Sequence, residues 1–147
     1  MRVDLKIKAI VEQMHGISYE FNDWTRANVN FDNLPLPCCL NVLPPAGQLN
    51  FKNGNVRDRV YAQIAFLDKT DFDFEGEENE IIVEKMKKYA VQFVYLANES
   101  RLIKILPETI NYSVVYDKLD VNVTGVVLSA TIEEFQGVCI ENFIEKC

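Results

Sequence analysis

Between Ile82 and Ala97 the apolar residues Ile82, Met86, Tyr89, Ala90, Phe93, Leu96 and Ala97 recur at helical spacing, with Glu84, Lys85, Lys87 and Lys88 turned mostly away. This stripe predicts a helix of about six turns that has to bury one face. Nearly everything on either side of it alternates with the period of a strand, so the helix needs a sheet to lie on. The pattern therefore specifies an α+β domain, a mostly antiparallel sheet with two helices packed on one face, in the order α-β-β-β-α-β-β-β.

The remaining elements follow from the same two periods. Val3, Ile7, Ile10, Val11 and Met14 line one face of a first helix over 2–14, which Gly16 stops. "ISYEF" alternates as a half-buried strand, and "NDWTRANVNFDN" reads as a polar loop with Trp24 as an anchor to the core or to a partner. Pro35, Pro37, Pro44 and Pro45 surround a strand at about 37–43, predicted at a sheet edge with a turn at 44–47, because proline cannot donate to a central ladder. A long strand runs from Val56 to Leu67. Beyond the long helix, 102–106, 110–116, 119–123 and 126–133 read as strands, with Gly125 as punctuation.

A chain of 147 residues, 48% hydrophobic and 11% aromatic, has the size and apolar content of one domain spanning 1–147. Its formal net charge of −7 argues against a protein that grips a phosphate backbone. Asp4, Lys6 and Lys8 interrupt the apolar run that a signal peptide needs, and no window approaches the roughly 18 apolar residues of a membrane span. A mature, cytosolic chain is the expectation. The sequons at Asn98, Asn111 and Asn122 then carry little weight.

Chemistry has few footholds. Cys38, Cys39, Cys139 and Cys147 form no Cys-x-x-Cys and His15 is the sole histidine, so no metal or redox spacing exists and the cysteines read as reduced, packed thiols. His15 suits the end of the first helix better than a catalytic role. No phosphate loop, dinucleotide fingerprint or nucleophile elbow occurs. Glu133 and Glu134 face opposite ways on a strand, which defeats paired acid–base work.

"DKTDFDFEGEENE" resembles a calcium loop through Asp71, Asp73, Glu75 and Gly76, but the twelfth position is Ile82, where a bidentate glutamate belongs, and a strand leads into it. The structural alternative is an acidic entry to the long helix, with Glu75, Glu77, Glu78 and Glu80 near its positive end. No metal and no cofactor is expected. Apolar residues also remain on the sheet's second side: Val115 opposes the 110–116 face, and Val127 alternates with Val126 and Leu128. That surface is read either as subunit packing or as the seat of a second layer made by the chain's own loops.

The order of these pieces resembles the tail terminator and tail completion proteins of long-tailed bacteriophages and prophages. The likeness runs over about 2–140 through "GISYEFND", "LPLPCCLNVLPP", "RVYAQIAFLDKTD", the long helix and "VNVTGVVLSATIEEFQGVCI". It implies a non-catalytic virion protein that forms a ring, typically a hexamer, joining tail tube to head. Its partners would be itself, the tail tube and neck proteins, first in the host cytoplasm and then in the virion tail. Under it, Trp24, Leu34, Pro44, Pro45, Val115 and Val127 are candidate interface residues, and Asp71, Asp73, Glu75, Glu77 and Glu78 a candidate channel-facing acidic loop. A different class, a small binding domain using an exposed sheet edge near 36–45, is the competing expectation.

Overall fold

The structure is a computed structural model that describes residues 3–30, 36–42, 46–52, 55–69, 76–118 and 123–134. A seven-stranded sheet is built on two long antiparallel strands, β4 (Asn55–Lys69) and β7 (Val123–Glu134), paired from Arg59↔Glu133 to Lys69↔Val123. The outer side of each long strand is shared by two shorter ones. Along β4 lie β2 (Cys38–Val42) and β3 (Ala46–Lys52); along β7 lie β5 (Ile103–Ile105) and β6 (Asn111–Lys118). β1 (Ser18–Asn22) adds to β2 in parallel, and it is the sole parallel pair among the described strands. The α+β class and the mostly antiparallel sheet follow.

α1 (Val3–Val11) and α3 (Gly76–Ser100) cover one face, as their apolar stripes require. Ile7, Ile10 and Val11 from α1 and Val83, Met86, Phe93 and Ala97 from α3 pack on Ile64, Phe66, Val126, Leu128 and Ile132 of the sheet. The Phe66 and Phe93 rings meet at 6.0 Å and 56°, a tilted contact that suits their quadrupoles. The helical bonding of α1 gives way at Val11 to tighter turns through Gln13 and Met14, and Gly16 adopts a φ of 77°. His15 therefore lies beyond the helix rather than capping it; it is exposed, and its carbonyl accepts the Tyr89 hydroxyl at 3.2 Å.

Further expectations are corrected. The polar loop after β1 contains a short helix, α2 (Trp24–Asn30), which Asp23 starts: its Oδ1 accepts the Arg26 amide at 2.7 Å. α2 lies on the opposite face from α1 and α3, since Ala27 packs with Cys38, Leu40, Ala65 and Leu67, whose strand neighbours point the other way. The proline-flanked strand is interior, because β2 pairs with β1 on one side and β4 on the other; Pro37 precedes the ladder instead of interrupting it. The break expected at Gly125 is absent, since β7 runs through it from Val123 to Glu134, and the rest of the strand expected at 119–123 lies outside the described residues.

β3 was not anticipated at all, and the turn expected at 44–47 gives way to it at Ala46. The observed order is thus α-β-α-β-β-β-α-β-β-β, with a one-turn 3-10 helix (Pro107–Thr109) between β5 and β6. The expected docking of the last residues, "CIENFIEKC", lies outside the described residues.

Candidate functional site

The sheet face away from α1 and α3 carries a gradient from apolar to polar. At one end Ala27 of α2 seals Cys38, Leu40, Val42, Ala65, Leu67, Val123 and Val127, with Trp24, Leu36 and Val115 packed around them. Trp24, Val115 and Val127 are therefore brought together, but by the chain's own second layer. Val127 is 8% exposed, which leaves it little surface to offer another subunit. Leu34, Pro44 and Pro45 lie outside the described residues.

Past the edge of α2 the same face opens into a depression of about 380 Å³, bordered by Val42, Ala46, Tyr61, Gln63, Ser129 and Thr131. Its border offers neutral hydrogen-bonding groups and no carboxylate, imidazole or amine, so nothing in it can work as a general base near neutral pH. The Tyr61 hydroxyl donates to Gln48 Oε1 at 3.3 Å. Farther along, Glu133 accepts from Arg59 Nε at 2.9 Å, with Arg57 at 4.0 Å. Glu133 is thus engaged in holding β4 to β7.

The acidic entry to α3 is visible from Gly76 onward. Glu77 and Glu78 are exposed in the first turn, where the helix dipole favours them, and Asn79 and Ile82 turn inward. Asp71, Asp73 and Glu75 lie outside the described residues. Glu80 accepts a short hydrogen bond from Tyr116, which holds that phenol above its usual range. Lys85 Nζ meets Asp68 Oδ2 at 3.2 Å, and Lys87 Nζ stands 4.9 Å from the Tyr112 ring centre. The first turns of α3 are consequently tied to β4 and β6. Among the described residues no group of three histidine, cysteine or acidic side chains is placed to hold a metal ion.

What the sequence reading missed is the outward surface of β3. Leu49 and Phe51, at 69% and 75% exposure, stand on a hairpin strand whose other edge has no partner among the described residues. The available signals were the alternation of Leu49 and Phe51 with Gln48 and Asn50, and the Asn53-Gly54 dipeptide, a strong hairpin marker. The binding edge expected near 36–45 is not available at 38–42, because both sides of β2 are paired. Among the described residues no helix is long and apolar enough to cross a membrane. No protein-family model, curated protein or solved structure gives a significant match to the chain.

Proposed function

We propose that the chain is a non-catalytic structural subunit of a phage or prophage tail, of the terminator or completion type, which assembles with its own copies into a ring at the head–tail junction. The observation that carries this reading is the apolar surface left standing in solvent on regular elements: Leu49 and Phe51 on β3, Val91 and Tyr95 on α3, and Tyr112 and Tyr116 on β6. Scattered apolar residues are ordinary on a surface, but apolar residues sharing a face of two strands that are each paired on one side only among the described residues favour subunit packing. The resemblance of the sequence over about 2–140 to that class adds support.

In this reading the partners are further copies, the tail tube and neck proteins, and no cofactor takes part. Glu77 and Glu78 belong with the channel side, where negative charge keeps passing DNA from adhering to the wall. The test is to mix the purified chain with tail tubes that lack a terminator and image the product by negative-stain microscopy. Rings seated on tube ends are expected. Bare tube ends at saturating protein would sink the proposal.

A further inference from the structure

Four strands of the sheet are paired on one side only among the described residues, and β3 and β6 are the two longest of them, against 5 residues in β1 and 3 in β5. Among the described residues, the 7-residue β3 is bonded to β4 alone and the 8-residue β6 to β7 alone. Each antiparallel pairing reverses direction, so β3 runs with β7 and β6 runs against both. An edge presents unsatisfied N–H and C=O groups, and a protein that leaves one bare protects it with proline, inward charge or a bulge. β3 carries no proline, and its sole charged residue is the terminal Lys52.

The two edges also match by face. On β3, Leu49 and Phe51 sit opposite Asp58 and Val56 of β4, the face that carries α1 and α3 farther along. On β6, Tyr112 and Val114 sit opposite Leu128 and Val126, which belong to that same face. The reverse faces are mostly polar, with Gln48 and Asn50 on β3 and Asn111 and Ser113 on β6, Val115 being the apolar exception that packs under α2. Tyr112 and Tyr116 remain 58% and 48% exposed, as an edge still awaiting neighbours would leave them.

From this we infer that the outer edge of β3 pairs antiparallel with the outer edge of β6 from a second copy, so that one sheet runs on into the next. Laying 46–52 against 117–111 sets Phe51 opposite Tyr112 and Leu49 opposite Val114, within the regular part of β6 that ends at the register shift after Val115. It also sets Ser113 opposite Asn50, two polar side chains on the reverse face.

Because the two edges belong to opposite sides of the sheet, the contact is heterologous, and a heterologous contact generates rings when its rotation closes. β3 lies beside the Asn55–Tyr61 end of β4, whereas β6 lies along the part of β7 that pairs with the other end. Successive copies are therefore stepped by about eight residues, roughly 26 Å at about 3.3 Å per residue. Closed sheets with tilted strands need such a stagger. The identity of the partner as another copy rests on the ring reading above; the open edges and their matching faces do not.

Sedimentation velocity on the full chain tests the pairing, using Phe51→Asp, which spoils the β3 edge, and Tyr112→Asp, which spoils the β6 edge. Far-UV circular dichroism confirms that each variant, altered at an exposed position, is folded. Wild type is expected to form species larger than a dimer between about 1 µM and 1 mM, and each variant alone to stay monomeric. An equimolar mixture should stop at the dimer, because one intact β3–β6 contact survives per pair.

Variants that both assemble like wild type would overturn the pairing yet leave ring formation standing on another surface. Loss of assembly in one variant alone would overturn its heterologous character. A wild type that is monomeric throughout that range would overturn it too, while the tube-capping experiment still decides the ring reading separately.

Discussion

Gly125 of β7 lies so close to the Phe66 carbonyl of β4 that a Cβ would overlap the oxygen. Strand glycines often mark such backbone approaches, and here the approach fixes the two strands on which every other strand depends. Gly125→Ala is expected to cost at least about 3 kcal/mol, since backbone atoms cannot rotate away as a side chain can. Urea titration checks this through a lower midpoint at unchanged slope. A loss below about 1 kcal/mol would show that the strands separate easily.

The contact between Phe66 and Phe93 joins the same strand to the long helix. Phe93→Ala should cost about 3–5 kcal/mol, from lost apolar burial and the cavity left behind. A double-mutant cycle with Phe66→Leu should return a coupling of about 0.5–1.5 kcal/mol, the part owed to ring geometry. Additive losses would mean that the rings matter through area alone.

How much of this was legible beforehand depends on whether a segment's neighbours are local. The stripe of α3 and the alternation of β4 are written into consecutive residues, so both were readable. Gly125 was misread as punctuation because its reason, the Phe66 carbonyl, is contributed by a distant strand. β2 was misplaced at an edge by counting its prolines, although Pro37 precedes Cys38 and its carbonyl accepts the Ser18 amide at 3.0 Å. α2 hid inside a polar stretch because its buried residue, Ala27, carries little hydrophobic signal, and Asp23 was the clue.

The candidate surface was legible only in part, for the same reason. Trp24, Val115 and Val127 were singled out as candidate interface residues, but they pack in the apolar cluster that α2 covers from within the chain. Leu49 and Phe51 look like any loop residues until the ladder with β4 sets them on one face of a strand. The exposure that makes them informative is a tertiary property.

Alkaline pH gives a third test. Burial pushes the Cys38 thiol from 9.0 up to about 11, aided by Glu20 and opposed in part by the Ser18 hydroxyl. Burial likewise holds Cys39 well above its ordinary value, with Cys38 adding to the effect. A raised folded pKa means that the folded state keeps its proton longer than the unfolded chain. The stabilising contribution is complete below about pH 9 and disappears as pH climbs toward 11, at up to about 1.4 kcal/mol per pH unit for each thiol. Urea unfolding at about pH 8 and pH 10 should show the decline, and Cys38→Ala should flatten it. An identical decline in that variant would assign the effect to other groups.

Arg101 ends α3 with a φ of 56°, the left-handed region that an L side chain occupies at a cost of about 1–2 kcal/mol. The position is held in place by Ser100, whose Oγ donates to the Ala97 carbonyl at 2.9 Å and accepts the Leu102 amide at 3.2 Å. Glycine takes this conformation without steric cost, and it is the usual residue just past a helix end. Arg101→Gly should therefore stabilise the protein by about 0.5–1 kcal/mol, the remainder being returned to the more flexible unfolded chain. Arg101→Val, branched at Cβ, should lose more than about 1 kcal/mol. Thermal unfolding of the two variants should move in opposite directions from wild type, by about 2–4 °C per kcal/mol in a domain of this size. Equal melting temperatures would mean that the bend after α3 relaxes to suit whatever residue occupies it.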